Sequence, residues 1–182
     1  MKNKDSLRDL SVFGLLLAIG VAGRWAQPDW NFTPLAAVTV IGGYYFRSLL
    51  AAVLLPVGIL AVSDLILPAH NSVAVQISVH VMMLVPLLLG RMAQHSQGWQ
   101  RVSLGVLGGV LPATAFFVVT NFVHWASTGM YEKSLTGLTV CYVAGLPFYR
   151  AMLAGDVFYL AVLVTCLTIA TARTPQRVRV RA

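Results

Sequence analysis

The sequence is poor in charge, because only 10% of its 182 residues are Asp, Glu, Lys or Arg whereas 58% are hydrophobic. Soluble domains carry roughly 25% charged residues, so this composition excludes an ordinary soluble domain and indicates an integral membrane protein. Cysteine is also scarce: Cys141 and Cys166 form no CxxC pair, and no disulfide framework is predicted. A single domain is expected at this length.

Motifs that carry catalysis or metal binding are missing as well. The sequence contains no GxxxxGK[ST] phosphate-binding loop, no GxSxG nucleophile motif and no HExxH metal motif. No paired Cys/His spacing is present, and isolated histidines such as His80 and His124 are a weak signal for a metal. We therefore predict no catalytic residue, no metal site and no cofactor, and we expect a protein that is not an enzyme.

Six apolar segments predict an all-α bundle of six transmembrane helices in one domain, because lipid requires that backbone polar groups be paired within the protein. The first segment is long enough to span a bilayer, which favours a helix over a cleaved signal peptide. The apolar part of the stretch 125–149 is too short to span, so a re-entrant or capping loop is predicted there. The predicted spans are residues 10–26, 32–46, 48–67, 75–93, 102–124 and 150–171.

The basic residues predict the orientation of this bundle. Six spans put both termini on one side, and that side carries ten basic and two acidic residues, against three basic and four acidic residues on the other. Cytoplasmic loops are enriched in Lys and Arg, so both termini are expected in the cytoplasm, with the chain in a bacterial inner membrane. The basic C-terminal tail is interpreted as a topology signal that contacts anionic lipid, and no nucleic-acid partner is expected.

Ionisable side chains lie in the outer halves of the predicted spans. Each costs about 2.5–3.5 kcal/mol to insert unless it faces water or a partner. Asp64, His80 and Asp156 belong to three spans at similar predicted depth, with Asp156 at the outer start of the last span, so one shared polar cavity is the preferred explanation. The alternative is a set of locks between helices, in which Asp64 bonds to a neighbouring helix and Asp156 pairs with Arg150 or Arg24.

The outer loops add further polar and aromatic side chains. Residues 25–34 include Asn31 between two prolines that stiffen the segment, and residues 120–149 add several aromatic rings. Apolar walls with a few directed polar groups are what a small-molecule pocket requires. The predicted substrate-binding residues are Asn31, Asp64, His80, Asn121, His124, Trp125, Tyr142, Arg150 and Asp156.

Three small residues recur at every fourth position of the first span: Gly14, Ala18 and Ala22. Stripes of this kind allow helices to approach closely in lipid. The stripe therefore predicts a helix interface, either with another helix of the same chain or with a separate protein subunit.

Three stretches, NFTPLAAVTVIGGYYF, TNFVHW and GLTVCYVAGLPFYRAMLAGD, are similar to boxes of an uncharacterised family of bacterial membrane proteins. The whole chain resembles the substrate-binding S components of energy-coupling-factor vitamin transporters, in its number of helices, its cytoplasmic termini and the Ala18–Ala22 pair. The resemblance implies capture of a small vitamin or cofactor precursor from the outer side, with that pair contacting a transmembrane coupling subunit joined to ATPases. Lys2 stands where the cobalt and nickel members have a histidine, which argues against those ions.

A second hypothesis belongs to another class of function. The chain would be a structural or accessory subunit of a larger membrane complex, with no small-molecule transport. In that case the small-residue stripe is an assembly interface, and the outer polar residues pair with one another without a cavity.

Overall fold

A computed structural model describes residues 2–67 and 72–172, and these residues form helices without any strand. Only Met83 separates helix α4 (Val73–Met82) from helix α5 (Leu84–His95), so these two helices form one helical segment. The seven helices therefore make six helical segments. The basic tail residues Arg173, Arg177, Arg179 and Arg181 lie outside the described residues. The helices are α1 (Lys2–Trp25), α2 (Leu35–Tyr45), α3 (Leu49–Ser63), α4 (Val73–Met82), α5 (Leu84–His95), α6 (Gly98–Ser127) and α7 (Leu135–Ala172). The prediction of an all-α fold is confirmed.

Within the described residues, four stretches of helix are long and apolar enough to cross a membrane. They are Ser6–Trp25, the combined α4–α5 segment Val73–His95, Gly98–Ser127 and Leu135–Ile169. Helices α2 and α3 are apolar but shorter, at 11 and 15 residues. At 1.5 Å per residue α2 is about 16 Å long, roughly half the thickness of a hydrocarbon core. Such a helix needs protein around its ends.

Helix α2 lies at the centre of the bundle, and every residue from Leu35 to Gly43 is buried. It packs against α5, α3, α7 and α1. Its closest approach is to α5, where a Cβ added to Gly90 would overlap the carbonyl of Val40, and one added to Gly43 would overlap the carbonyl of Leu87. Two glycines thus allow the backbones of α2 and α5 to touch.

Helices α6 and α7 form a long antiparallel hairpin connected by residues 128–134. At its middle, Gly108 and Gly109 of α6 leave space for Leu160 and Val157 of α7. Near its tip, the hydroxyl of Tyr142 donates to the Val118 carbonyl at 2.7 Å. We name residues 118–145 the hairpin tip.

The predicted loop at 125–149 is wrong in its second half, because α7 begins at Leu135 and continues without a break to Ala172. The apolar run in this stretch is too short to span alone, but here it packs along α6 and extends the last helix. The hydroxyl of Ser134 accepts a hydrogen bond from the Gly137 N–H at 3.1 Å, which is the geometry of a helix N-cap.

The longer helix changes the position of Asp156, which the sequence placed at the outer start of the last span. Asp156 follows Leu135 by 21 residues, or about 31 Å along the helix axis. It therefore lies in the middle of α7. The segment 26–34 reaches the same level, because Gly155 packs against the backbone of Phe32 and Thr33.

Candidate functional site

A cavity of about 220 Å³ lies where the end of α1, the start of α2, and the middles of α6 and α7 meet. Its polar lining comes mainly from Arg24, Gln27, Asn31 and Asp156, and its apolar walls include Phe116. We call it the central cavity. It has the composition of a small-molecule site, with apolar walls and a few polar groups.

A second cavity, of about 250 Å³, lies between α4 and the hairpin tip. It is lined by Asn121, His124 and Tyr149 among others, and we call it the tip cavity. The two cavities share part of their walls, so they are neighbours. The shared residues are Asn31, Val79, Phe116 and Met152.

Asp156 is the most unusual residue of the central cavity. It is only 3% exposed. Its Oδ2 is the one buried side-chain oxygen or nitrogen without a hydrogen-bond partner in the part of the chain that the structure describes. A buried polar atom without a partner costs roughly 1–3 kcal/mol, and more when it is charged. Such a cost is common at binding sites, where a ligand supplies the missing partner.

Arg24 forms a fixed part of the cavity wall. Its Nη1 donates to Oδ1 of Asp64 at 2.7 Å and also to the hydroxyl of Ser63. The neighbouring Trp25 donates its indole N–H to the Ser63 carbonyl at 3.2 Å. These bonds fasten the end of α1 to the end of α3, so the guanidinium is held in one place.

The segment 26–34 forms the wall between α1 and α2. Asn31 has a φ of 67°, in the left-handed region that asparagine tolerates better than most residues. Its N–H donates to Oε1 of Gln27 at 3.0 Å, and Phe32 contacts the rings of Phe158 and Tyr159 on α7. The segment is therefore a packed part of the bundle, and it brings Asn31 to both cavities.

Four of the nine predicted site residues line the two cavities. Asp156 lines the central cavity, Asn121 and His124 line the tip cavity, and Asn31 lines both. The Asn121 Nδ2 donates to the Phe117 carbonyl at 2.8 Å, which leaves its Oδ1 as the free acceptor. These four residues therefore lie on the walls of two neighbouring cavities.

Two other predicted residues, Asp64 and His80, line neither cavity. Asp64 is paired with Arg24, as the alternative of a helix lock anticipated. A ring nitrogen of His80 lies 2.9 Å from the Gln76 carbonyl, one turn earlier in α4. The single cavity expected from Asp64, His80 and Asp156 together is therefore not what the structure shows.

The last three predicted residues belong to the outside of the hairpin. The indole of Trp125 donates to the Glu132 carbonyl at 2.8 Å, and Lys133 lies over its ring at 5.4 Å. Tyr142 bonds α6 as described above, and Arg150 is exposed. None of the three lines either cavity.

Sequence reasoning gave no ligand role to most of the cavity residues, among them Arg24, Gln27, Phe116 and Met152. A polar residue at the end of an apolar span can turn back towards the bundle, and this pattern could have indicated Arg24 and Gln27. No sequence pattern indicated Phe116 and Met152, because an apolar residue in an apolar helix does not reveal which neighbour it faces. The described residues contain no group of three or more His, Cys, Asp or Glu that could hold a metal.

Comparison with known proteins gives a family without a function. No curated protein matches the chain. No solved structure matches it either. A family described as a family of unknown function, DUF6580, matches residues 4–177, and the chain belongs to that family.

Proposed function

We propose that this protein is the substrate-binding subunit of a membrane transporter, similar to an S component, and that it captures a small vitamin or cofactor precursor. The observation that carries the proposal is Asp156, a buried acidic residue that lines a cavity inside a membrane bundle and whose Oδ2 has no hydrogen-bond partner. Ionisable groups inside membrane bundles generally mark pathways or binding sites. The chain would bind and release its substrate without changing it, and would not be an enzyme.

The proposed orientation has both termini in the cytoplasm of a bacterial inner membrane. The distribution of the described basic residues supports it, since Arg91 donates to the Arg47 carbonyl at 2.9 Å and Arg101 lies over the Tyr44 ring at 5.8 Å. These arginines gather at the end of the bundle away from the hairpin tip. Under the positive-inside rule that end faces the cytoplasm, and the tip cavity opens on the outer side.

The proposed partner is a transmembrane coupling subunit joined to ATPases. Gly14, Ala18 and Ala22 are all exposed on α1, and a Cβ added to Gly14 would meet no atom within 4 Å. The described part of the chain therefore leaves this stripe uncovered. A smooth helix face of small residues in lipid is suited to close packing with another helix, which supports contact with a separate subunit over packing within the chain.

One specific observation supports the accessory-subunit hypothesis. The Arg24–Asp64 pair is a lock between helices of the kind that this hypothesis expects. A binding site also needs walls held in fixed positions, and the unpartnered oxygen of Asp156 has no role in a purely structural protein. The transport proposal explains both features.

Native mass spectrometry of the full chain purified from its own cells tests the proposal. We expect a retained small molecule, released by collisional activation, on the intact protein. An accessory subunit would instead copurify in a larger complex and carry no small molecule. That second result would overturn the proposal.

A further inference from the structure

We infer that the central cavity binds a small molecule that carries both a basic nitrogen and a nearby acceptor, such as a carboxylate or a ring carbonyl. This inference rests on the proposed function and names the chemistry of its substrate. It is drawn from two opposite features on the walls of one cavity: a buried carboxylate oxygen without a donor, and a helix N-terminus without a side-chain cap.

The carboxylate side of the cavity requires a donor. Oδ2 of Asp156 has no partner among the described residues, and the nearest cation on the lining, Arg24, makes its ion pair with Asp64. A carboxylate bonds most strongly to a charged N–H donor, with a gain of about 1.5–3 kcal/mol. A protonated amine or amidinium on the ligand would supply that donor.

A second part of the cavity wall, at the start of α2, requires an acceptor. The first N–H groups of a helix have no acceptor within it, and α2 begins after Pro34 with no side-chain cap. Leu35 and Ala36, which begin this helix, are buried and line the central cavity. The positive end of the helix dipole therefore points into the site, and favours an anion or a carbonyl oxygen.

Arg24 strengthens the positive side. Both of its bonds to α3 are made by Nη1, whereas a guanidinium has five N–H donors. The residue lines the central cavity. Its remaining donors can bond an acceptor that also reaches the start of α2, so one ligand can satisfy both walls.

The size of the cavity limits the ligand. Its volume of about 220 Å³ is smaller than the roughly 300–1,000 Å³ of sites for drug-sized molecules. Phe116 and Met152 provide apolar wall between the polar ends. A compact molecule with one ring and two polar groups fits these limits.

The inference is tested first by native mass spectrometry of the full chain and of two variants. Asp156→Asn keeps the shape of the side chain and cannot carry a negative charge. Glu132→Gln is the matched control, because Glu132 is exposed and does not line the cavity. We expect the wild type and the control to retain a molecule with a basic nitrogen, and Asp156→Asn to lose it. A retained molecule without a basic nitrogen, or full retention by Asp156→Asn, would overturn the inference and leave the proposed function standing.

If no molecule is retained, isothermal titration calorimetry in detergent tests the inference. The three probes are phenylalanine, phenethylamine, which lacks the carboxylate, and 3-phenylpropanoate, which lacks the amine. We expect phenylalanine to bind about tenfold more tightly than either analogue, and Asp156→Asn to weaken the two amines about tenfold without weakening 3-phenylpropanoate. Equal affinity of phenylalanine and 3-phenylpropanoate would overturn the inference alone. Binding of none of the probes would overturn the inference; the proposed function would fall only if the chain also copurified in a larger complex without a small molecule.

Discussion

Gly90 of α5 lies directly against the carbonyl group of Val40 in α2, with no space for a side chain between the two backbones. This contact holds the short helix α2 at the centre of the bundle. Because the start of α2 forms part of the central cavity, the crossing also fixes the position of the cavity wall. A glycine far from the site therefore contributes to its geometry.

Gly90→Ala should destabilise the protein. The added methyl group would overlap backbone rather than a movable side chain, and overpacking of this kind costs about 1–3 kcal/mol. Thermal unfolding in detergent measures the effect. Gly105→Ala is the control, because a Cβ there meets nothing within 4 Å, and it should be neutral or stabilising by up to about 1 kcal/mol. Equal melting temperatures for the two variants would contradict the direct contact of α2 and α5.

Asp64→Asn should destabilise the protein by weakening the bond between α1 and α3. The Arg24 and Asp64 side chains are 13% and 23% exposed, and a charged hydrogen bond contributes about 1.5–3 kcal/mol. A double-mutant cycle with Arg24→Gln isolates the interaction from other effects of each change. Strict additivity of the two substitutions would show that the pair is not a lock.

Asp156→Ala should abolish uptake of the cognate substrate while the protein remains folded. Removing a buried acidic group whose Oδ2 has no partner relieves a desolvation cost, so the melting temperature of the substrate-free protein should not fall. Uptake into cells and thermal unfolding measure the two effects separately. Glu132→Ala, at an exposed position away from both cavities, should preserve uptake. Normal uptake by Asp156→Ala would remove this residue from the site.

Ala18→Trp should prevent assembly with a coupling subunit and leave ligand binding unchanged. The indole would project from the exposed stripe of α1 and keep a second helix from approaching closely. Copurification of the ATPases with the tagged protein is the measurement. Val106→Trp introduces the same side chain at an exposed position of α6 and should assemble normally. If Ala18→Trp also assembles normally, the stripe is not the interface.

Much of the fold follows from the sequence, because the signals for it are local. Apolar length predicted the helical segments, and serines before helices mark starts that the structure contains, such as Ser48 and Ser72. The start of α7 was missed, although Ser134 is also a cap. Its apolar run was too short to span by itself, and its pairing with α6 is a contact between helices that no local pattern reveals.

The candidate site was predictable in its residue types but not in its pairings. Asp64 and Asp156 have similar sequence surroundings, as lone carboxylates in apolar segments. Asp64 forms an ion pair with Arg24, whereas Asp156 lines a cavity. The difference depends on which helices are neighbours and on how each is rotated.

The sequence by itself determined that this protein is apolar, helical and suited to a membrane, because composition and the length of apolar runs act through the solvent and not through particular contacts. The tertiary structure decided which polar groups are satisfied. It extended α7 so that Asp156 lies deep in the bundle, brought the uncapped start of α2 to the same cavity, and left Gly14, Ala18 and Ala22 uncovered. Hydrogen bonds need partners within about 3 Å, and only the packing of helices from distant parts of the chain sets those distances.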